Sequence, residues 1–389
     1  MKLVNRATIA YKEIAIFLVM RNINLDYLVP ADWAYEELDD GKAMINYTAS
    51  RGNYNRKNFI LPGDIPVDKR FVEAIALYLG DGDYNKINKA HLSFVSKDKE
   101  LVAFFLNFLR HYFNLNNRDL TVVVRYRRRN PHIKKEWGRV LRFHSQKIIT
   151  KSSKRHKEEA CTIQVNGVVF RKVFELVINK FLGKGEFLRD KCLRRAFLRG
   201  LFAAEGNVGI DYKERYISQI SFSISTKEIV LRDFIIKALN YEHIRHRINI
   251  YEDSHSLVIS ISNWGCYLRL WKISLFDLCR RKKGQFLTIA RNLDIYFCLK
   301  PSFRKKFFSD IPMMQKHIAK LIGSWQANVS RTITGNHLLR VEQIVTLLDY
   351  SACTKKEVID NLVYARVGSL TKLNVTKDLL RFLKELKSF

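Results

Sequence analysis

Two segments of the sequence share a pattern that constrains the fold more than any other feature of the chain. The first is Phe71-Val-Glu-Ala-Ile-Ala-Leu-Tyr-Leu-Gly-Asp-Gly82, and the second is Arg195-Ala-Phe-Leu-Arg-Gly-Leu-Phe-Ala-Ala-Glu-Gly206. Each segment contains two small residues four positions apart, which are Ala76 and Gly80, then Gly200 and Ala204. Residues at this spacing lie on one face of a helix, where larger side chains would hold a neighbouring helix away. The pattern therefore predicts two helices that pack together with their backbones unusually close.

Each of these segments ends in an acidic residue followed by glycine, Asp81-Gly82 and Glu205-Gly206. Glycine suits the left-handed residue that often closes a helix. A carboxylate in the last turn meets the negative end of the helix dipole, which costs about 0.3–1 kcal/mol, and close packing adds mutual repulsion. A divalent cation relieves both penalties, because carboxylates bind Mg²⁺ and paired metals activate water at scissile phosphates. The pattern favours Asp81 and Glu205 as catalytic, metal-binding acids over two simple helix stops.

The charge balance of the chain points to a polyanionic partner. Its 389 residues include 68 Lys and Arg against 38 Asp and Glu, a formal net charge of +30. Such a surplus favours nucleic acid. A membrane is not expected, because the sequence shows no basic amphipathic helix or long apolar span. No secretory signal is recognised, so we expect a cytoplasmic, nucleoid-associated protein. The six cysteines form no CxxC pair, which favours reduced thiols over a zinc site.

The order of predicted elements indicates an α+β fold with a duplicated core. Residues 66–185 and 186–300 each read as α-β-β-α-β-β-α, preceded by an N-terminal extension at 1–65. Local similarity supports duplication, since Ser96–Val102 resembles Ser225–Val230. The first half carries an additional basic segment at about 127–157. Such a run is usually a solvated loop, and in a chain this basic we expect it to contact the DNA backbone.

The C-terminal residues 310–389 are predicted to form a separate small α-helical module, to which Val358 to Leu386 would add a strand and a final helix. Ala319, Gly323 and Val329 have the spacing of a helix-turn-helix: a small residue at the helix contact, a glycine in the turn and an apolar anchor. Ser324 to Arg331 would begin the recognition helix, with Arg331 contacting DNA. An ordinary αα-hairpin is the alternative interpretation.

The two acid-glycine segments resemble the namesake motifs of the single-chain LAGLIDADG homing endonucleases, over about residues 60 to 300. The resemblance implies two pseudo-symmetric αββαββα repeats whose motif helices pair and whose sheets saddle the major groove of DNA. It implies that Asp81 and Glu205 bind Mg²⁺ or Mn²⁺, together with main-chain oxygens of Gly80 and Ala204. It also implies cleavage of both strands across the minor groove, with short 3′ overhangs. The first motif departs from the family pattern at Ala74 and Ala76, where Leu and Gly are common.

Further site residues follow from the same resemblance and from side-chain chemistry. Family members usually place a Lys or Gln near each metal, and local similarity suggests Lys97 and Lys227, with solvated or phosphate-contacting lysines as the alternative. Base reading is expected from side chains on or beside the strands, because Arg reads guanine and Asn reads adenine, although each could equally contact phosphate. The candidates are Arg125, Arg127, Arg245, Arg247 and Asn249.

Three functions fit this pattern. The first is a monomeric site-specific endonuclease that cuts double-stranded DNA at a long asymmetric site. The second is a non-catalytic transcription regulator, since some regulators join a decayed core of this family to a helix-turn-helix. The third is an RNA intron maturase on the same fold, because basic charge suits RNA equally. Both acids are in register, which favours the nuclease over the regulator.

Overall fold

A computed structural model describes residues 22–31, 33–46, 58–84, 91–127, 130–153, 158–211, 216–291, 294–367 and 371–387 of the chain. No helix in these ranges is long and apolar enough to cross a membrane. The N-terminal part contains a two-stranded and a three-stranded antiparallel sheet. Their strands are β1 (Asn22–Asn24), β2 (Ala34–Leu38), β3 (Lys42–Asn46), β4 (Phe59–Pro62) and β5 (Asp64–Pro66).

The first half of the core places three helices against one four-stranded sheet. The helices are α1 (Lys69–Asp81), α2 (Lys99–Phe113) and, after the insertion described below, α4 (Val168–Leu182). The strands are β6 (His91–Ser96), β7 (Leu120–Tyr126), β8 (Ile149–Ser152) and β9 (Ala160–Asn166), in the order β6-β9-β7-β8. The expected first strand is represented in the described residues only by a bridge from Gly82 to Phe94, and residues 85–90 lie outside them.

The basic insertion is more ordered than the expected loop. It contains a helix, α3 (Ile133–Leu141), and it supplies β8, which pairs parallel to β7 at the edge of the sheet. Trp137 is fully buried, and α3 packs against α2. The loop expectation was wrong because three apolar residues one helical turn apart, Ile133, Trp137 and Leu141, are buried. Residues 128–129 and 154–157 lie outside the described part.

The second half follows the predicted α-β-β-α-β-β-α order. Its helices are α5 (Lys191–Glu205), α6 (Ile229–Tyr241) and α7 (Trp264–Lys272). Its antiparallel strands are β10 (Gly206–Asp211), β11 (Tyr216–Ser225), β12 (Arg247–Tyr251) and β13 (Ser256–Ile261), in the order β10-β11-β13-β12. A further helix that the sequence did not predict, α8 (Arg280–Arg291), follows α7 and packs against β10 and β11.

The C-terminal residues form a mixed rather than a purely helical unit. Its helices are α9 (Pro301–Ser309), α10 (Gln315–Leu321), α11 (Gln326–Thr334), α12 (Val341–Leu348), α13 (Lys355–Asp360) and α14 (Lys377–Lys387). Its strands are β14 (Ile295–Leu299), β15 (Leu339–Arg340), β16 (Leu362–Val367) and β17 (Thr371–Asn374), in the order β15-β14-β16-β17. The strand and final helix expected within Val358 to Leu386 are present as β16 and α14, whereas β14, β15 and β17 were not expected. The sheet forms because the apolar residues of β14 and β16 bury one of its faces.

Both core sheets bury one face against helices and leave the other face polar. In the second half, Phe222, Ile259 and Ile261 are fully buried. The neighbouring positions on β11 and β13, such as Ser221 and Ser260, point the other way because side chains alternate along a strand. This division leaves a polar surface on each half, while the two motif helices α1 and α5 lie in the core between them.

Candidate active site

Helices α1 and α5 pack side by side in register. A side-chain Cβ added at Gly80 would lie 2.5 Å from Cβ of Ala204, and one added at Gly200 would lie 2.1 Å from the carbonyl oxygen of Glu73. The Cβ added at Gly200 would also lie 2.9 Å from Cβ of Ala76. Ala76 therefore faces Gly200 and Gly80 faces Ala204, so the two helices run in the same direction. The predicted close approach of the small-residue faces is present, and both helices end at the same place.

We expect Gly200→Ala to destabilise the protein, although alanine is the better helix former. The new methyl group would meet a backbone oxygen of α1 at 2.1 Å, so the helices must separate, at a cost of about 1–3 kcal/mol. Gly284 on α8 is the matched control because nothing lies within 4 Å of its added Cβ. Gly284→Ala should stabilise by roughly 0.5–1 kcal/mol. Urea denaturation measures both changes, and equal effects would contradict the close helix contact.

The glycines that follow the two acids serve a different purpose from the one expected. Gly82 has φ −88° and Gly206 has φ −76°, so neither is left-handed, and that prediction was wrong. A Cβ at Gly82 would lie 2.3 Å from the carbonyl oxygen of Tyr78, and one at Gly206 would lie 2.2 Å from the ring of Phe202. Glycine is required because the chain passes directly over an aromatic residue of the preceding turn. This lets each chain leave its helix immediately after the acid.

The carboxylates of Asp81 and Glu205 lie together at this common end of the two helices. Among the described residues, neither carboxylate has a hydrogen-bond or ion-pair partner. Burial is the main reason that the pKa of Asp81 is raised to about 6 and that of Glu205 to about 7. The charge of Asp81 raises the pKa of Glu205 further. Two partly buried, unpaired carboxylates that repel each other form a site suited to a cation.

Asp83, two residues beyond Asp81, is satisfied by protein groups instead. It is buried, it lies 3.2 Å from Nη1 of Arg171, and it accepts hydrogen bonds from the hydroxyl of Tyr78 and the amide of Ser93. A buried, paired carboxylate of this kind is structural. The contrast distinguishes Asp81 as the acid that is available for chemistry.

Lys282 is a buried cation next to the two acids, and sequence reasoning did not identify it. Its ammonium group donates hydrogen bonds to the carbonyl oxygens of Phe202, Ala203 and Ala204, at 2.8, 2.7 and 2.9 Å. It therefore caps the negative end of α5. Its charge lowers the pKa of both motif acids, and burial lowers the pKa of Lys282 itself to about 8. The Ala204 oxygen, expected to bind metal, is thus also an acceptor for a lysine.

A signal for Lys282 was present in the sequence. Four cations, Arg280-Arg-Lys-Lys283, begin α8, where the positive end of the helix dipole opposes them. These cations at the positive end of a helix are as unfavourable as the acids Asp81 and Glu205 at the negative ends of α1 and α5. The neighbouring Arg281 makes a bidentate ion pair with Asp98, at 2.9 and 3.0 Å. The segment thereby brings the charge of Lys282 to both motif acids and that of Arg281 to Asp81.

The N-cap residues of α2 and α6 are also acids near the site. Asp98 contributes to raising the pKa of Asp81, and Glu228 contributes to raising the pKa of Glu205. Oxygen and sulfur atoms of Asp98, Glu100 and Cys279 lie within 4.8 Å of one another. This trio is not a metal site as it stands, because Arg281 already neutralises Asp98 and burial raises the pKa of the Cys279 thiol.

The two lysines predicted to assist the acids are exposed. Lys97 forms an ion pair with Glu158 at 2.7 Å, and Lys227 lies at the turn after β11. Neither is among the charges that shift the pKa of Asp81 or Glu205, whereas Lys282 is among them for both acids. The structure therefore brings Lys282, rather than Lys97 or Lys227, to the two carboxylates.

The predicted base-reading residues of the second half occupy the polar face of its sheet. Arg247 pairs with Ser260 and Asn249 pairs with Val258 across β12 and β13. A polar row crosses all four strands and consists of Asn207, Ser221, Ser260 and Arg247. Arg245 is exposed just before β12. Asn207, Arg247 and Asn249 are exposed on the two edge strands, whereas Ser221 and Ser260 between them are buried, so the hydrogen-bonding groups of this face reach solvent along its edges.

The first half has a comparable face. Arg125 lies opposite Ala160 and Lys151 and hydrogen-bonds the hydroxyl of Thr162. Arg127 is exposed where β7 ends.

In the C-terminal unit, α10 and α11 are joined by a turn in which Gly323 has φ +59°, with Val329 buried. Arg331 is exposed on α11.

Residues 193–239 match the family model of the LAGLIDADG-like domain. This segment is similar to the LAGLIDADG-like domain. The matched range of this domain begins in α5, ends in α6 and includes Glu205. The family resemblance found in the sequence is therefore confirmed. A search of curated protein sequences finds no match.

Solved structures similar to the chain include two homing endonucleases, I-DmoI and I-WcaI, and full-length DUF199/WhiA. One is I-DmoI in complex with DNA and Mn, at 15% identity and a TM-score of 0.34, covering 53% of this chain and 96% of that chain. A second is I-WcaI bound to its DNA recognition sequence, at 16% identity and a TM-score of 0.34, covering 56% of this chain and 86% of that chain. A third is full-length DUF199/WhiA from Thermatoga maritima, at 11% identity and a TM-score of 0.31, covering 74% of this chain and 95% of that chain. Similarity at these values carries no argument about function, which rests on the site itself.

Proposed function

We propose that the protein is a site-specific endonuclease that hydrolyses both strands of DNA with a divalent metal. The observation that carries the proposal is the pair of unpaired carboxylates, Asp81 and Glu205, at the common end of two helices packed in register. A site that only stabilised the fold would neutralise such a pair, as Arg171 neutralises Asp83.

The residues present fit a divalent cation such as Mg²⁺ or Mn²⁺. Carboxylate oxygens of Asp81 and Glu205 would hold it, with main-chain oxygens of Gly80 and Ala204 as further ligands, the latter shared with Lys282. When bound, the metal would supply activated water and charge stabilisation at the scissile phosphate. The chain itself orients the acids through the rigid helix pair and supplies a positive charge beside them through Lys282. Lys97 and Lys227 remain candidates for phosphate contact.

The DNA would lie across the polar faces of the two sheets. Arg125 and Arg127 would contact it on the first half, and Arg245, Arg247 and Asn249 on the second. These groups read guanine and adenine or hold phosphates. The basic insertion would add backbone contacts beside β7.

We further propose that the core arose by duplication. The pairs Ala76 and Gly200, Gly80 and Ala204, and Asp81 and Glu205 face each other at one constant sequence offset. The proposed units are an extension at 1–65, repeats at 66–185 and 186–300, and a C-terminal module at 310–389, whose sheet also includes β14 from the end of the second repeat. In this module, α10 and α11 would act as a helix-turn-helix presenting Arg331. Two differing repeats in one chain suit a monomer on an asymmetric site, in a nucleoid-associated protein.

The test is a cleavage selection on a randomised duplex library with Mg²⁺. We expect recovery of one long asymmetric site cut on both strands, with short 3′ overhangs, and no cut products without a divalent ion. Enrichment of bound but uncut duplexes would favour a regulator. Binding of structured RNA in preference to every duplex would favour a maturase, and either result would contradict the nuclease proposal.

A further inference from the structure

The C-terminal sheet carries a row of cations across its solvent-facing side. Cross-strand pairing places Arg340 of β15 opposite Tyr296 of β14, Tyr296 opposite Arg366 of β16, and Arg366 opposite Lys372 of β17. The three cations are exposed and Tyr296 is partly buried. Neighbouring residues on β14 and β16, such as Phe297 and Ala365, are buried on the opposite side. One face thus presents three positive charges in a line.

Aromatic rings hold these cations in place. The guanidinium carbons of Arg340 and Arg366 lie 5.6 and 5.3 Å from the ring centre of Tyr296, and the ammonium of Lys372 lies 4.2 Å from that of Tyr364. Stacking over a ring leaves most N–H groups of a guanidinium free for another acceptor. Arg340 has a carboxylate neighbour, Asp294, at 3.5 Å, and both side chains are about half exposed.

A groove joins this row to the polar face of the second core sheet. It measures about 1030 Å³ and runs between β12, β13, α7 and β17. Its four strong cations are Arg245, Arg247, Arg269 and Lys372. No carboxylate is present among the described residues that line it. Lys372 belongs to both the groove and the row, and Arg247 belongs to both the groove and the core sheet, so the positive track is continuous.

The C-terminal unit is firmly attached to the second half, which fixes the track as one surface. Phe382 of α14 packs against Trp264 and Trp271 of α7 and against Phe286 of α8, with ring centres 5.5–6.5 Å apart. An ion pair at 2.6 Å joins Lys272 to Asp378. Phe382 is 1% exposed, so the contact is a buried apolar interface rather than a surface encounter.

We infer that duplex DNA leaving the second-half sheet continues along this groove and binds through its phosphates to the outer face of the C-terminal sheet. The inference rests on the proposed function, since it extends the same duplex beyond the cut site. Duplex DNA fits because regularly spaced phosphates match a line of stacked, exposed cations that continues a base-reading surface. The C-terminal unit would then lengthen the recognised site on one side only.

The test compares a triple variant, Arg340→Gln, Arg366→Gln and Lys372→Gln, with a matched triple control on helices of the same unit. The control changes three exposed lysines that lie off the sheet face: Lys305, Lys356 and Lys384, each to Gln. The probe is a labelled duplex carrying the selected site with long flanks. A second pair of probes has the flank shortened on one side or the other. Affinity is measured over a range of salt concentrations.

We expect the sheet variant to bind the long duplex about 10- to 100-fold more weakly, with a log-salt slope smaller by about 2–3, because each lost phosphate contact contributes about 0.9. The control should match wild type in slope to within about 1. Shortening one particular flank should remove the difference between wild type and sheet variant. Equal slopes for sheet variant and control on the long duplex would overturn the inference. Failure of wild type to bind any duplex would instead refute the proposed function.

Discussion

Asp81→Asn and Glu205→Gln should each abolish Mg²⁺-dependent cleavage while leaving duplex binding within about threefold of wild type. Both substitutions keep the shape of the side chain and remove the charge that holds the cation, so a loss of about a thousandfold or more in cleavage rate is expected. Cleavage of the selected duplex and binding in Ca²⁺ are the two measurements. Undiminished cutting by both variants would refute the assignment of these acids.

A second readout does not depend on activity. Each acid has a folded-state pKa, about 6 or about 7, above its ordinary value of 3.8 or 4.5. The folded protein therefore binds more protons than the unfolded chain between pH 4 and 7, and metal-free stability must fall as pH rises through that window. At pH 8 each variant should be more stable than wild type, by up to about 3 kcal/mol. Mg²⁺ should raise the stability of wild type more than that of either variant.

Asp83→Asn is the matched control for the charge change. Its carboxylate pairs with the buried guanidinium of Arg171, so removal of the charge should destabilise the protein by about 3–5 kcal/mol. A variant at Asp83 that stabilised the protein at pH 8 would show that the distinction between the two acids is wrong.

The sequence could predict the features that local periodicity encodes. The small-residue faces around Gly80 and Gly200 and the α-β-β-α-β-β-α order of the second half follow from residue spacing that tertiary packing does not override. The position of the two acids follows from the same spacing, because residues at matched places on parallel helices must meet.

What the sequence could not predict depends on contacts between distant segments. Lys282 reaches α5 only because α8 folds back across β10 and β11, and a run of four cations does not show which one turns inward. The interpretation of Lys97 and Lys227 relied on local similarity, which places residues along the chain but not relative to the site. Trp137 is a similar case, because charged neighbours mask the helical spacing that buries it.

Lys282→Met tests the most consequential of these unpredicted contacts. The variant leaves three carbonyl groups at the end of α5 without a donor and removes the cation that lowers the pKa of both motif acids. We expect a loss of about 3–5 kcal/mol at pH 7. The loss should be smaller at pH 5, where protonation of Asp81 removes part of the repulsion that Lys282 offsets.

Lys283→Met is the control, because the adjacent lysine pairs with Asp277 at the surface, and about 0–1 kcal/mol is expected for an exposed pair. The effect of Mg²⁺ on stability should show whether the ammonium group of Lys282 offsets the charge of the two acids or only caps α5. If Lys282 offsets the same negative charge as the metal, Mg²⁺ should stabilise the Lys282 variant more than it stabilises wild type. An equal increase in stability on addition of Mg²⁺ in both proteins would mean that Lys282 only caps α5. A larger increment in the variant would show that the chain carries its own cation at the place where the acids require one.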